Sequence, residues 1–530
     1  MPATKKKLLT ITNLKKYFPV GKESAFKKTQ VYVRANEDIS IDIYEGETLG
    51  LVGESGCGKS TFGRVLLQLY PQTAGSTMYY GRTLDELAPK YVGETLKHAR
   101  KMIQKYHEAQ KKADEAVKKC DEAGEEVTHE QNNAKDELVF AAENALNHTA
   151  KILGGFMVCP NIEEATKTLL GQYTAQVELF KLRQQENQLE LRRKENLENE
   201  KQDKTLETKI AELKNKITAQ EAKCAEAEEA VKKEKEKYRS LPNFDKYEAM
   251  LDDGIDLSRL TYGEIRHLRK DLQIIFQDPY SSLNPRMTVG QIIEEGLVTH
   301  NMYSKGTEET KQYILEFMRK CGLQDYMLHR FPHQFSGGQR QRICIARSLA
   351  VKPKFVVCDE CVSALDVSIQ SQIINLLQEL KEQHNLTYLF ISHDLSVVKY
   401  ISDRIGVMYL GNIVELADKN AIFKDPRHPY TVALLSSIPT TDPDSATKEK
   451  IILEGNIPSP INPPTGCKFH TRCYMATEKC SRIAPKLTEV EPNHFVACHY
   501  PECKLGSCGE WLFEYNKDKK NEEPKPEEKN

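Results

Sequence analysis

The sequence of 530 residues contains no run of roughly 18 apolar residues, which is the shortest stretch that reads as a membrane-spanning helix. We therefore expect no transmembrane segment. An excess of positive charge is missing too, since 75 Lys and Arg against 77 Asp and Glu give a formal net charge of −2. This balance argues against nucleic acid or an anionic membrane surface as a general partner of the chain.

The N-terminus lacks the apolar stretch of a signal peptide, although its first residues are basic, so we expect the chain to stay in the cytosol. Cysteine, by contrast, is abundant, and six of the 14 cysteines crowd between Cys467 and Cys508. Such crowding favours a local metal site over a disulfide framework. The other eight are scattered and fit small buried hydrophobic residues.

Proline is absent between Pro89 and Pro160 and again between Pro160 and Pro242, and both stretches are rich in Lys, Glu, Gln and Ala. The second stretch carries an a/d heptad series typical of a coiled coil. Its members are Leu206, Ile210, Leu213, Ile217, Cys224, Val231 and Tyr238. We therefore predict an inserted antiparallel coiled-coil hairpin over residues 82–253, with its turn at 153–160.

An unbroken second helix of this hairpin would be about 100 Å long. Asn196, Asn199 and Asp203 interrupt the heptad series, so we expect a kink or fraying there. Two interpretations of the insert stay open. It is either an arm that docks a partner or a solvated coiled coil without chemistry of its own.

The chain is organised around a glycine-rich motif that follows a buried strand predicted at 48–52. The motif consists of Gly53, Glu54, Ser55, Gly56, Cys57, Gly58, Lys59, Ser60 and Thr61. A G-x-x-x-x-G-K-[ST] turn between a strand and a helix exposes backbone N–H groups to phosphate oxygens. We expect Lys59 to reach the β- and γ-phosphates of a nucleotide and the Ser60 hydroxyl to bind Mg²⁺.

Two alternating segments upstream, 8–11 and 39–43, predict edge strands. An aromatic residue upstream of a P-loop can stack on adenine. We predict this role for Phe18, with Tyr17 as the second candidate. An ordinary core aromatic is the alternative for both.

Three downstream motifs predict the rest of a nucleotide-hydrolysing site. An apolar strand ends at Asp359, which would hold Mg²⁺ through water, and Glu360 follows as the general base for the attacking water. Gln277 ends another strand, where it can bind Mg²⁺ and orient water. His393 stands at the tip of a third strand, at the spacing expected of a γ-phosphate sensor.

A second anion cradle opens a helix at Ser336, Gly337, Gly338 and Gln339. One chain rarely needs two cradles for the same nucleotide. We therefore predict that this one grips the γ-phosphate bound to a partner's P-loop, so that ATP joins two subunits. Asp366, in the loop after Glu360, is the remaining predicted nucleotide-binding residue.

Together these motifs resemble the ATP-binding cassette of ABC transporters. The resemblance implies an α/β P-loop NTPase fold, with a RecA-like core and a helical subdomain. Segments 277–287, 428–435 and 458–464 are similar to the oligopeptide/dipeptide permease ATPases, and most of all to their second, or F-type, subunit. Cys361 departs from the family, which usually has Pro after the catalytic Glu, and the long insert is not part of the common pattern.

The resemblance implies a function and a set of partners. The chain would hydrolyse ATP to energise the uptake of oligopeptides or dipeptides from the cytoplasmic face of the membrane. It would pair with a sister ATP-binding subunit beneath two membrane permeases, which an external peptide-binding protein supplies. No nucleic acid is expected.

The family's C-terminal extension carries a four-cysteine pattern that matches Cys467, Cys473, Cys480 and Cys498. In related subunits this pattern holds a [4Fe–4S] cluster, and all-thiolate ligation is consistent with one here. The gaps of five, six and seventeen residues fit zinc ribbons poorly, because those favour C-x₂₋₄-C pairs. Zinc or an empty thiol cluster remains the alternative.

These expectations divide the chain into five parts. They are the N-terminal part of the cassette (1–81), the insert (82–253), the C-terminal part of the cassette (254–440), a cysteine-rich extension (441–510) and a disordered tail (511–530).

Three other kinds of ABC protein compete with a transport subunit. Chromosome- and repair-type ATPases also carry a coiled-coil arm, but theirs follows the Q-loop strand, whereas this insert precedes Gln277. A translation-type protein with two cassettes would need a second P-loop, and the sequence has one. A catalytically dead subunit is disfavoured because Lys59, Asp359, Glu360 and His393 are all present.

Overall fold

The computed structural model describes residues 5–20, 31–123, 129–198, 203–363, 365–437, 451, 453 and 455–501. Within these ranges the chain forms twelve strands and eighteen α-helices. The strands are β1 (Lys7–Val20), β2 (Val31–Tyr44), β3 (Thr48–Val52), β4 (Ala74–Tyr79), β5 (Ile255–Asp256), β6 (Leu272–Ile275), β7 (Phe355–Asp359), β8 (Thr387–Ile391), β9 (Arg404–Tyr409), β10 (Asn412–Asp418), β11 (Thr488–Glu491) and β12 (His494–Val496). The predicted tail, 511–530, lies outside the described residues.

The helices are α1 (Lys59–Leu66), α2 (Leu84–Leu87), α3 (Lys90–Lys97), α4 (Ala99–Ala123), α5 (His129–Leu153), α6 (Ile162–Glu198), α7 (Lys204–Glu236), α8 (Phe244–Glu248), α9 (Tyr262–Leu268), α10 (Pro279–Ser282), α11 (Val289–Thr299), α12 (Glu308–Lys320), α13 (Gly337–Leu349), α14 (Val367–His384), α15 (Leu395–Ile401), α16 (Lys419–Lys424), α17 (Pro429–Ser436) and α18 (Glu478–Arg482). Among the described residues, none of these helices has both the length and the apolar character needed to span a membrane.

The larger of two sheets has the strand order β11-β12-β10-β9-β3-β8-β7-β6. Its strands from β9 to β6 pair in parallel, and β10, β12 and β11 extend it in antiparallel fashion. β3, β7 and β8 are buried at every position. Their sequences are almost continuous apolar runs because helices and the second sheet cover both faces of these strands.

The smaller sheet is antiparallel, with the order β2-β1-β4-β5. Here the prediction of two edge strands is wrong for segment 8–11, because β4 pairs with β1 from Leu9 to Lys15 on the side away from β2. Alternation along a strand reports that one face is buried, but it does not report how many neighbours the strand has.

A shared core joins the two sheets. Helix α1 contributes Phe62, Val65 and Leu66 to it, and these side chains meet residues of both β1 and β8. A second core lies on the other face of the large sheet, where α11, α12 and α13 pack in one apolar cluster with β7. These three helices form the helical region of the cassette. The second anion cradle, called the Ser336 cradle below, lies at the start of α13, where Ser336 is the N-cap residue.

The insert contains two helical hairpins where the sequence predicts one. α4 packs against α5, and α6 packs against α7. The α6–α7 pair is antiparallel, since Arg183 bonds to Glu221 and Arg193 bonds to Glu207. The predicted interruption at 196–203 therefore coincides with the end of α6 at Glu198 and the start of α7 at Lys204, and the two helices run in opposite directions. Asp203 caps α7 by accepting hydrogen bonds from the N–H groups of Thr205 and Leu206.

The first residues of the predicted insert belong structurally to the cassette. Leu87 and Tyr91 are buried in the core that holds β1, β3 and α1. The Tyr91 hydroxyl accepts a hydrogen bond from the Asp256 N–H at 3.0 Å, and the Arg259 guanidinium lies 4.5 Å from the centre of its ring. The boundary at residue 82 remains a prediction, and these contacts bind α3 to the cassette.

We expect Tyr91→Ala to destabilise the whole chain by about 3 kcal/mol, because it removes a buried aromatic ring from the cassette core. Tyr91→Phe should cost about 1 kcal/mol, the value of one hydrogen bond. Urea unfolding, followed by circular dichroism, measures both. The control is Tyr262→Ala, since Tyr262 is 84% exposed. Equal stability of the Tyr91→Ala and Tyr262→Ala proteins would contradict the assignment of α3 to the core.

Candidate nucleotide site

The predicted site residues converge at the carboxyl-terminal edge of the parallel strands. β3 leads into Gly53, β7 ends at Asp359, and β8 ends two residues before His393. β6 lies next to β7, and Gln277 follows it by two residues. In open α/β sheets, ligands bind at this edge, so the topology alone marks it as the candidate site.

The P-loop requires two glycines for its path. Gly53 has φ +148°, and a Cβ there would lie 2.2 Å from the Met408 carbonyl oxygen. Gly58 has φ +103°, and a Cβ there would lie 2.1 Å from the Ala35 carbonyl oxygen. Ser55 and Gly56 form the exposed tip of the loop, Cys57 is buried beneath it, and Thr61 lies in the first turn of α1.

Lys59 lies across the mouth of this loop. Its ammonium group donates hydrogen bonds to the carbonyl oxygens of Gly53 at 2.7 Å and Glu54 at 3.0 Å. The side chain is 5% exposed. An ammonium group has three N–H donors and no acceptor, so binding phosphate oxygens requires Lys59 to exchange these carbonyl oxygens for them.

Ser60 and Asp359 form the candidate Mg²⁺ position. The Ser60 hydroxyl donates to Asp359 Oδ1 at 2.6 Å, and Arg64 Nη2 lies 3.3 Å from Asp359 Oδ2. A hydroxyl and a carboxylate oxygen are ligands that Mg²⁺ prefers, and Mg²⁺ sites usually keep several waters besides. The pair therefore fits a Mg²⁺ ion by its chemistry. Arg64 was not singled out from the sequence.

The predicted base is held between two polar side chains. Gln277 Nε2 donates to Glu360 Oε2 at 2.9 Å, and His393 Nδ1 lies 3.6 Å from the same oxygen. Glu360 has φ +48°, a left-handed conformation that is costly for a residue with a side chain and that clusters at functional sites. Bonds from the Glu360 N–H to the Ile391 carbonyl and from the Ser363 hydroxyl to the Glu360 carbonyl secure it.

The second cradle stands apart from the first. Ser336 accepts a hydrogen bond from the Gln339 N–H in a capping box, and Ser336 and Gly337 are exposed. Asp366 is the N-cap residue of α14. Within the part of the chain that the structure describes, no hydrogen bond or ion pair joins this cradle to the P-loop.

Phe18 and Tyr17, the two residues considered for stacking on adenine, contact different neighbours. Phe18 packs edge-to-face on Tyr70 at 5.5 Å, with the Lys16 ammonium 4.6 Å from the centre of its ring. Tyr17 donates its hydroxyl to Glu37 at 2.8 Å, and burial raises the pKa of Tyr17. The Phe18 side chain has no hydrogen-bonding group, and its stacking on adenine remains a prediction.

The four predicted cluster cysteines line one small cavity together with Phe469 and His428. Its volume is about 10 Å³, room for one water molecule. Burial raises the pKa of Cys473 to about 12 and of Cys498 to about 11, which favours the neutral thiol. Across the described ranges, no group of three or more His, Cys, Asp or Glu is arranged to hold a metal ion. Cys503 and Cys508 lie outside those ranges.

The iron–sulfur cluster therefore stays a prediction. The four thiols that the family resemblance groups together do line one cavity.

Contacts to Glu54 come from a part of the chain that motif analysis did not connect with the P-loop. Its carboxylate accepts hydrogen bonds from Arg472 Nη1 at 2.8 Å and Nη2 at 3.1 Å. Its backbone N–H donates to the Tyr430 hydroxyl at 2.9 Å. The bonds to Glu54 raise the pKa of Arg472. No local pattern could have revealed a contact between residues 418 positions apart.

Comparisons with known proteins identify the family of the chain. A family model described as "ABC transporter" matches residues 36–158 and 246–363, and one described as "Oligopeptide/dipeptide transporter, C-terminal region" matches 414–480. The fold and the site thus define the chain as an ATP-binding cassette ATPase.

Similar proteins narrow the class. The oligopeptide transport ATP-binding protein AppF of Bacillus subtilis is 53% identical over 252 residues, 47% of this chain and 76% of AppF. The oligopeptide transport ATP-binding protein OppF of Haemophilus influenzae is 49% identical over 246 residues, 46% of this chain and 74% of OppF. The chain belongs to the family of oligopeptide/dipeptide transport ATP-binding proteins.

Among solved structures, the dimeric post-hydrolysis state of the cassette MJ0796 bound to ADP and Pi is similar at 16% identity, with a TM-score of 0.41, over 78% of this chain and 99% of that one.

The family matches and the similar transport proteins confirm the family prediction made from the motifs, and with it the prediction of an ATP-hydrolysing transport subunit. The chromosome-maintenance alternative finds no support among the relatives.

Proposed function

We propose that the chain energises the uptake of oligopeptides or dipeptides, as the ATP-hydrolysing subunit of an importer at the cytoplasmic face of a membrane. The observation that carries this proposal is the grouping of Ser60 with Asp359 and of Glu360 with Gln277 and His393 at one sheet edge. The printed names of AppF and OppF supply the substrate class.

Each site residue has a proposed role. Lys59 and the backbone N–H groups of the P-loop bind the phosphates, and Ser60 and Asp359 hold Mg²⁺, which when bound neutralises charge on the phosphoryl group. Glu360 takes the proton of the attacking water, while Gln277 and His393 orient it and hold the base in place. Phe18 stacks on the adenine.

The Ser336 cradle requires a second subunit. Because it is exposed and has no bond to the P-loop of its own chain, we propose that it closes on a nucleotide held by a sister ATP-binding subunit. Two membrane permeases and an external peptide-binding protein complete the importer in this proposal. The loop that begins at Gln277 and contains exposed Tyr280 would face the permeases.

For the insert, we propose that the α6–α7 hairpin is a brace between the core of the cassette and its helical region. At one end Phe180 packs edge-to-face on His267 at 5.7 Å. Near the tip, Lys194 pairs with Glu309 at 3.1 Å, and the Glu198 carboxylate accepts the Glu309 N–H at 3.1 Å. The last contact caps the N-terminus of α12, where negative charge is favourable.

The contacts at the two ends of the brace lie far apart along α6. From Phe180 to Lys194, α6 rises about 20 Å along its axis. α12 shares the apolar cluster of α13, so a restraint on α12 also acts on the helix that Ser336 caps. We propose that the brace limits the movement of the helical region relative to the P-loop.

The [4Fe–4S] cluster at Cys467, Cys473, Cys480 and Cys498 stays a proposal too. It rests on the four thiols that line one cavity and on the family resemblance of the four-cysteine pattern. The family match over 414–480 includes the first three of these cysteines. Zinc and free thiols are the alternatives.

Glu360→Gln should lower the ATP turnover number by roughly 100-fold or more, because it removes the general base. The variant should still bind Mg-ATP and should accumulate as a nucleotide-bound dimer with the sister subunit. Steady-state phosphate release and gel filtration with and without Mg-ATP measure these effects, with Glu382→Gln on the exposed face of α14 as the control. Normal turnover in Glu360→Gln would remove Glu360 as the base.

Replacing residues 186–218 by a short Gly-Ser linker should raise basal ATP turnover, since it removes the tip contacts of the brace. The Arg183–Glu221 pair, at 2.9 Å, keeps the two ends close enough to join. A matched double variant, Lys194→Ala with Glu198→Ala, should move turnover in the same direction. Unchanged turnover in both proteins would show that the hairpin is a passive appendage.

Protein purified without oxygen should contain about four iron atoms per chain and show a visible absorbance band if the cysteines hold a [4Fe–4S] cluster. Cys473→Ala should lose both signals, whereas Cys224→Ala in α7 should keep them. Stoichiometric zinc without iron would identify a zinc site in place of the proposed cluster. Protein that contains neither metal would have four free thiols there.

A further inference from the structure

The contact between Glu54 and Arg472 joins the P-loop to the cysteine-rich extension. Two parallel N–H···O bonds connect the guanidinium to the carboxylate, and the Arg472 side chain is 7% exposed. Bidentate arginine–carboxylate pairs fix both distance and orientation. The guanidinium therefore holds a P-loop side chain in one place.

Glu54 is held on its other sides as well. The hydroxyl of Tyr430 accepts its N–H, and the ammonium of Lys59 donates to its carbonyl oxygen. Tyr430 is itself fixed in an aromatic cluster, with Tyr409 at 4.7 Å and Phe469 at 5.4 Å between ring centres. The path of the loop between Gly53 and Cys57 thus depends on side chains that come from residues 409–472.

Charge gives Arg472 a second effect. Glu54 places a carboxylate in a loop whose other groups attract phosphate, and an unpaired carboxylate there would repel a nucleotide. Arg472 neutralises this charge and turns it toward the extension. Loss of the guanidinium would leave the half-buried Glu54 carboxylate without its partner. Removing one partner of such a pair destabilises a protein more than replacing both partners by apolar residues.

We propose that Arg472 is a positioning residue for the P-loop, and that it sets the affinity for Mg-ATP by holding and neutralising Glu54. Arg472 contacts no reacting atom in this role. The inference rests on nucleotide binding at the P-loop, which the proposed function includes.

A neighbouring contact of the extension supports this docking. Lys468 Nζ lies 2.8 Å from Glu37 Oε2 and donates to the Leu410 carbonyl oxygen at 2.8 Å. Asn36, beside Glu37, donates to the Gly58 carbonyl oxygen at 3.1 Å. The segment 467–473 therefore contacts the P-loop directly at Glu54 and indirectly at Gly58, through residues 36–37.

Arg472→Ala in the full-length chain should raise the Kd for Mg-ATP about tenfold, which corresponds to about 1.4 kcal/mol. The KM for ATP should rise in parallel while kcat stays within about twofold, because the lost interaction does not act on the transition state alone. Titration calorimetry and steady-state phosphate release measure the two effects. The control is Arg482→Ala, since Arg482 is an exposed arginine of the same extension that pairs with Glu478.

A double variant separates positioning from general support of the fold. In a Glu54→Gln background, Arg472→Ala should change the Kd by less than about twofold, because the partner through which it acts is gone. A full tenfold loss in that background would overturn the proposal. So would an Arg472→Ala protein that binds Mg-ATP as tightly as the Arg482→Ala control.

Arg472→Lys keeps the charge but loses the two-bond geometry, and its Kd should fall between those of the wild type and Arg472→Ala. If Arg472→Ala fails to fold, this variant decides the matter, and wild-type affinity would overturn the proposal. Lys59→Ala tests the underlying function separately. Retained Mg-ATP binding in Lys59→Ala would reject the P-loop as the nucleotide site, whatever Arg472 does.

Discussion

The parallel register of three buried strands is the constraint on which the nucleotide site depends. Ile391 at the end of β8 pairs with Leu51 of β3 on one side and with Asp359 of β7 on the other. Since all three strands stop at the same level, the residues that follow them emerge side by side. Gly53 and Glu360 emerge here next to His393, and a shift of one residue in either pairing would separate them.

The same sheet also incorporates the cysteine-rich extension. β12 pairs with β10 through Glu415 and Val496, and His494 lies 2.7 Å from the fully buried Glu415 carboxylate. This carboxylate also accepts the N–H groups of Arg427 and His428. A fully buried carboxylate with three hydrogen-bond partners holds separate segments together, because removal of any one partner leaves it undersatisfied. The extension is thus joined to the large sheet of the cassette through β12 and β11.

Sequence patterns predicted the parts of the site that are local. Each of these parts lies at the end of a strand or just after one, and their convergence could be expected from a parallel sheet. They are the P-loop, Asp359, Glu360, Gln277 and His393. What could not be expected depends on the path of the chain. The polar interruption near Asn196 marks the end of a helix, but whether the chain then bends or reverses depends on packing. The Glu54–Arg472 pair has no local signature, since either residue alone looks like a solvated surface charge.

The distance along the chain between Glu54 and Arg472 has a consequence for biosynthesis. The P-loop leaves the ribosome 418 residues before its arginine partner. At usual elongation rates this is an interval of about 20 to 80 seconds. During that time the Glu54 carboxylate of the nascent chain has no Arg472 to pair with. β3 likewise lacks the other strands of its sheet until β7, β8 and β9 have been synthesised. The Glu54–Arg472 contact is therefore completed only after Arg472 has been synthesised, and until then the nascent chain gains less of the stabilisation that bound nucleotide gives.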